Sequence, residues 1–138
     1  MEKSVAFIKR NYSALVLAYL GDSYFETLAR EYLIADGDCV VSRLNVGIKR
    51  YITAVSQSKI VDILIPHMNE TEMWFYKFGR NAKNTHHSRS ADVGEYRRAT
   101  GLEALYGYYY LSGNAERARE MFMRAVEELD SDKEDCNG

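Results

Sequence analysis

The sequence predicts an all-α domain, and three observations predict it. Apolar residues recur at three- and four-residue spacing through most of the chain. Pro66 is the one proline among 138 residues, so helices can run long. No stretch sustains the apolar–polar alternation of a half-buried strand over a convincing length. A chain of this length fits one domain and can bury a core without disulfide or metal staples.

The first strong element spans about Ser13 to Ile34. Its apolar residues are dense enough for a buried helix, and Ser13 suits its N-cap. Asp36-Gly37-Asp38 closes it, with Gly37 fitted to a left-handed stop. A second helical stretch covers roughly Val41 to Met68, with Leu44, Ile48, Tyr51, Ile52 and Val55 in helical period. Ile60 to Ile65 is rich in β-branched residues and could read as a strand; the neighbouring period makes it helix. Pro66 marks an exit or a break.

Asn69 and Glu72 have the spacing of a capping box, with Asn in the place of Ser or Thr. The helix they open should reach about Phe78 and stop at Gly79. Asn81 to Ser90 reads as a polar loop. Asp92 and Glu95 form a second box-like start, for a helix from Val93 to Leu111 that ends at Ser112-Gly113. Asn114 then caps a last helix with the stripe Ala118, Met121, Phe122, Ala125, Val126 and Leu129. The division expected is a domain over 1–129 and an acidic, disordered tail over 130–138.

The net charge of −2 conceals an uneven distribution: without the tail the chain carries +1, and between Tyr76 and Arg98 the balance is +4. Lys77, Arg80, Lys83, Arg89, Arg97 and Arg98 there face only Asp92 and Glu95. Such a stretch suits either a phosphate backbone or a solvated charged face. Cys39 and Cys136 lack metal-ligand spacing and read as free thiols of a cytoplasmic protein. The longest apolar run, Ala14 to Leu20, is too short to span a bilayer, and the N-terminus does not read as a signal peptide.

Two acids lie in apolar helical settings. Asp22 follows Leu15, Leu17, Tyr19 and Leu20 and precedes Tyr24 and Phe25. A carboxylate there needs a donor, a cation or a cleft rim, because burying it alone is costly. It could equally mark where the helix face turns to solvent. Glu26 lies one turn on, on the same face. Glu103 sits among Leu102, Leu105 and Tyr106, bracketed by Gly101 and Gly107. Each mid-helix glycine costs about 1 kcal/mol against alanine, which close approach of another helix would justify. Two such helices packed together would bring Asp22 near Glu103, an oxygen pair suited to Mg²⁺.

Leu20-Gly21-Asp22 and Glu103-Ala104-Leu105-Tyr106-Gly107 resemble the two signature pieces of the ribonuclease III family. The likeness is greatest to its Mini-ribonuclease III branch, a nuclease domain without a double-stranded-RNA-binding domain. Ala18-Tyr19-Leu20-Gly21-Asp22 with Glu26, then Thr53, Ala54 and Gln57, then Gly79-Arg80-Asn81-Ala82-Lys83, then Tyr96-Arg97-Arg98-Ala99-Thr100 occur in that branch's order. The resemblance implies a ribonuclease III–type helical endonuclease: a homodimer that cuts double-stranded RNA with Mg²⁺ held by Asp22 and Glu103. Glu26 and Thr100 are candidate supports beside the ion. It further implies maturation of large-subunit ribosomal RNA precursor, with a ribosomal protein as a candidate presenter of the substrate.

The chain departs from longer family members at Ala18 and Thr100, where two further metal-site acids would stand, and at Phe78, where the branch usually carries a basic residue. In the light of the resemblance, Arg80, Asn81, Lys83 and Arg97 become candidate contacts to phosphates and 2′-hydroxyls of A-form RNA. Arg97 and Arg98 read equally as partners in surface ion pairs. His86-His87 reads as a solvated loop pair or as ligands. Trp74 and Tyr108-Tyr109-Tyr110 could stack on bases or pack in a core or dimer. Two other classes stay open: a catalytically weak or silent RNA-binding or ribosome-associated module of the same fold, and a helical interaction protein with no RNA role.

Overall fold

The computed structural model describes residues 2–83 and 92–137, with side chains as far as Ser131. Helices α1 (Val5–Asn11), α2 (Ala14–Leu33), α3 (Val41–Gly47), α4 (Lys49–Ile52) and α5 (Ala54–Leu64) lead to a 3-10 turn at Ile65–His67. Helices α6 (Glu70–Arg80), α7 (Val93–Ser112) and α8 (Ala115–Asn137) complete the chain. Among the described residues there is no strand, as the sequence predicts.

Helix α7 forms the axis of the fold. Its residues from Ala99 to Tyr109 are buried apart from Glu103, which is half-buried. A helix apolar all round belongs inside a core, and α2, α5 and α6 pack directly on it, with α8 closing over α5 and α7. Phe25, Tyr106 and Phe122 meet edge to face, at centroid separations of 5.1 and 5.3 Å from Phe25, and knit α2, α7 and α8 together.

Local chemistry explains most helix starts. The Ser4, Ser13 and Thr53 side chains each accept the backbone N–H three residues on. Asn69–Glu72 and Asp92–Glu95 form full capping boxes, with each acid reaching back to the cap N–H. Gly113 ends α7 in the left-handed conformation at φ 74°. Gly37, at φ 120°, lies in the turn beyond α2, whose own C-cap is Ile34.

The structure departs from the sequence reading in four places. The single helix expected over 41–68 is broken, because Thr53 adopts an extended backbone to cap α5 and Pro66 enters the 3-10 turn. Within α5, Ile60 to Leu64 is helical as the sequence reading has it, with Ile60, Val61 and Leu64 buried. Helix α6 does not stop at Gly79; it runs through it to Arg80. The short α1, with its Ser4 cap and buried Ile8, has no counterpart in the sequence reading.

Helix α8 also continues where a disordered tail was expected, from Leu129 through Asp130 to Asn137. Asp130 is tied to the fold. It accepts hydrogen bonds from Arg50 Nε at 2.7 Å and Tyr32 Oη at 2.9 Å, and contacts Tyr51 Oη. Composition shows the acid but not the cation and two phenols that the fold brings to it.

Candidate active site at the crossing of two helices

The glycines set the geometry. A methyl group on Gly21 would overlap the carbonyl oxygen of Glu103, and one on Gly107 would overlap that of Leu17. Helices α2 and α7 therefore touch backbone to backbone at two levels. On the neighbouring face of α7, a methyl on Gly79 would come within 2.8 Å of Gly101 Cα, and one on Gly101 within 2.7 Å of Tyr76. The helix-breaking tendency of Gly79 gives way to this packing: α6 stays helical because the residue facing α7 must lack a side chain. Gly101 and Gly107 fulfil the close approach that their positions in the sequence suggested.

The crossing brings Asp22 and Glu103 together. Asp22 is exposed at the rim and Glu103 half-buried beneath it. Burial, then a hydrogen bond to Asp22 and the negative charge of that neighbour, push the Glu103 carboxyl up to about 9. At neutral pH the pair therefore holds a proton between two oxygen-rich groups. Competition between like charges at one place is relieved by a proton or by a cation. Among the described residues no three His, Cys, Asp or Glu side chains converge as a metal cluster. An exposed carboxylate above a half-buried one nevertheless fits Mg²⁺, which retains several waters and takes few protein ligands.

The other candidates separate. Glu26 is half-buried and pairs with Arg30 at 3.7 Å, along its own helix. Thr100 is buried and its hydroxyl donates to the Tyr96 carbonyl at 3.0 Å. Ala18 is buried in the core. Arg80 lies at the end of α6 with its guanidinium over the Tyr76 ring at 5.7 Å and its Nε donating to Asn81 Oδ1 at 3.1 Å. Asn81 is the C-cap of α6, and both Asn81 and Lys83 are exposed. Arg97 is exposed at the start of α7, whereas Arg98 is held by Asp62 of α5. The ion-pair reading thus holds for Arg98. Residues 84–91, including His86, His87 and Arg89, lie outside the described residues.

The aromatic candidates divide as well. Tyr108 and Tyr109 are core residues, and Tyr110 is exposed against Tyr24 at 5.4 Å. Trp74 is 38% exposed. Cys39 is an exposed free thiol, and no described helix is long and apolar enough to cross a membrane.

One buried acid escaped the sequence reading as an electrostatic centre. Glu72 is 1% exposed and, besides closing its capping box, accepts from Tyr109 Oη at 2.6 Å and Arg117 Nε at 2.8 Å. Burial alone would raise its pKa; the hydrogen bonds from Arg117, Tyr109 and the Asn69 backbone outweigh that and hold it low. The capping-box spacing revealed one role of Glu72. Its pairing across 45 residues with Arg117 left no local signal.

The family described as Ribonuclease III domain matches residues 15–114 of this chain. A protein of Brevibacillus brevis named Mini-ribonuclease 3 is 41% identical over 111 residues, covering 80% of this chain and 83% of that relative. A protein of the same name from Symbiobacterium thermophilum is 42% identical over 113 residues, covering 82% of this chain and 87% of the relative. A crystal structure of a Fusobacterium nucleatum protein, 32% identical, superposes with a TM-score of 0.77 over 88% of this chain and 97% of its own.

Proposed function

From the premise that this chain belongs to the ribonuclease III domain family, we propose that it is a magnesium-dependent endoribonuclease that cuts double-stranded RNA. The observation that carries the reading is the meeting of Asp22 and Glu103 where α2 and α7 cross through glycine. Two carboxylates at one place, the deeper of them held protonated by burial and by its neighbour, form a place where a divalent cation can replace the proton. Bound there, such an ion would set positive charge against the phosphate and ready a water as nucleophile.

The chain's own residues supply position and charge. Glu103, fixed by its buried helix, releases its proton when a cation is held. Asp22 presents its carboxylate at the solvent-facing rim. Glu26 and Thr100 lie one turn from each, where Glu26 pairs with Arg30 and the Thr100 hydroxyl donates to the Tyr96 carbonyl. Arg80, Asn81 and Lys83 at the end of α6, and Arg97 at the start of α7, bind phosphates and 2′-hydroxyls of an A-form duplex. In the hydrolysis, water adds to phosphorus and the bond to the 3′ oxygen breaks, leaving a 5′-phosphate and a 3′-hydroxyl.

Two copies would cut the two strands and leave a short 3′ overhang. The exposed Leu15, Val16 and Tyr19 on α2, the last 83% exposed and three residues before Asp22, are an apolar face that supports a homodimer. Maturation of large-subunit ribosomal RNA precursor, with a ribosomal protein presenting the RNA, is the substrate context we propose, in the cytoplasm.

The test is cleavage of a labelled RNA duplex with and without Mg²⁺, repeated with Asp22→Asn and Glu103→Gln. Metal-dependent cutting of duplex but not single strand, lost in both variants, supports the reading. Tight duplex binding without cleavage would make the protein a silent RNA-binding module. Absence of salt-sensitive RNA affinity would leave an interaction protein.

A further inference from the structure

Helix α6 carries an unusual outer face. Its buried side presents Glu72, Phe75, Tyr76 and Gly79 to the core. Trp74, Lys77, Phe78 and Asn81 recur at the three- and four-residue spacing of a single opposing stripe. A solvent-facing stripe would ordinarily be polar; here two of its four residues are large aromatics, Trp74 exposed and Phe78 half-buried against the core. The Trp74 and Phe78 rings lie 4.9 Å apart, tilted at 33°, and Trp74 remains 38% exposed.

With Ala14 and Ala82 these residues line an open groove of about 420 Å³ between the start of α2 and the end of α6. Its charge is one-sided. Lys9 of α1 places Nζ 4.2 Å from the centre of the Trp74 ring, and Lys77 lines the groove itself. Among the described residues neither lysine forms an ion pair with a carboxylate. The groove also runs into the polar edge described above: Asn81 lines it and accepts a hydrogen bond from Arg80.

We propose that this groove is a subsite for an unpaired nucleotide flanking the RNA duplex. Aromatic faces flanked by ammonium groups are the chemistry that holds a single-stranded base and its phosphate, because every base has a π-face and every phosphate a charge. The base packs against Trp74 and Phe78. Lys77 and Lys9, the latter exchanging the indole ring for the phosphate, neutralise the backbone. A paired base has no free face to offer, so the groove discriminates substrates by their single-stranded flank, independently of cleavage. A loop-borne or duplex-end nucleotide next to the paired segment is the ligand class. The inference rests on the RNA-cleaving reading, and it gives Phe78 a role in place of the phosphate contact that a basic residue would make.

The experiment uses Trp74 itself, the one tryptophan of the chain. Without divalent metal, the protein is titrated with a blunt RNA duplex and with the same duplex carrying a three-nucleotide unpaired flank at either end. Tryptophan fluorescence and the anisotropy of labelled RNA are both followed. The flanked duplex should quench Trp74 and bind about five- to a hundredfold tighter, the range of a stacked base. Trp74→Leu with Phe78→Leu should abolish that preference while leaving blunt-duplex affinity and blunt-duplex cleavage with Mg²⁺ unchanged. Lys9→Gln with Lys77→Gln should weaken the flanked duplex most at low salt.

Equal affinity for blunt and flanked duplexes, or a preference that survives in the leucine variant, overturns the subsite. So does quenching that depends on protein concentration without RNA, which would make the groove a contact between copies. Metal-dependent cleavage of the blunt duplex tests the underlying reading separately. A protein that cuts blunt duplex yet ignores the flank refutes the subsite alone, and one that neither binds nor cuts either RNA refutes both.

Discussion

Gly21 lies against the backbone carbonyl of Glu103, so the residue preceding one acid of the site touches the residue that bears the other. The distance between the carboxylates is thereby set by main chain rather than by flexible side chains. Gly21→Ala must push α2 away from α7, and Gly107→Ala must do the same against Leu17. Each should cost about 1–3 kcal/mol or more, the range of overpacking in a tight core, and each should lower cleavage beyond its effect on stability. Urea denaturation gives the first quantity and single-turnover cleavage the second. Gly94→Ala is the control: it meets only an Asp92 oxygen at 3.4 Å and should leave cleavage unchanged.

The raised Glu103 carboxyl predicts a pH-dependent stability. Its folded pKa of about 9 exceeds the unfolded value, so the folded chain binds more protons between roughly pH 4.5 and 9. Stability from this group is complete below the unfolded value and falls as pH rises through 9. Melting temperature in chelator should therefore decline across that window, and Glu103→Gln should flatten the decline. Mg²⁺ should raise the wild-type melting temperature most at the alkaline end, where it competes with fewer protons. Cleavage by either Asp22→Asn or Glu103→Gln should fall about a hundredfold or more, since loss of mere supporting partners of a metal already costs about 10–100-fold.

Glu72 predicts the opposite pH response. Its low pKa in the fold means that its contribution is present above the unfolded value and is lost as pH falls through the folded one. Arg117→Ala would strand a carboxylate that is 1% exposed, with only Tyr109 and the Asn69 backbone to hold it. The expected cost is about 3–5 kcal/mol, read by urea denaturation at neutral pH. The deficit should shrink in Arg117→Ala with Glu72→Gln, where no buried charge is left unpaired.

The basic residues should divide by what holds them. Arg98 is tied to Asp62, so Arg98→Ala should change stability modestly and RNA affinity little. Arg80→Ala, Lys83→Ala and Arg97→Ala should each weaken duplex binding without lowering the melting temperature. Each should also reduce the slope of log affinity against log salt by about one. Anisotropy titrations at several salt concentrations separate the two groups.

The sequence by itself determined the class of fold and most of its punctuation. Ser13, Asn69–Glu72, Asp92–Glu95 and Gly113 mark helix ends through hydrogen bonds that span three or four residues, and such signals lie wholly within a short window. It also exposed Asp22 and Glu103 as acids in apolar company, and Gly101 and Gly107 as glycines that needed a packing partner. What it left open was decided by contacts between distant segments. Gly79 stays helical because Gly101, far along the chain, lies against it. Asp130 is ordered by Arg50, Tyr32 and Tyr51, and Arg98 is claimed by Asp62. Whether an aromatic is core or surface was likewise settled only by the fold, which buries Tyr109 and leaves Trp74 open. A residue's own window carries its propensity, its cap and its period. Only the assembled helices supply the partner that decides whether a charge is paired, a glycine is required or a ring meets solvent.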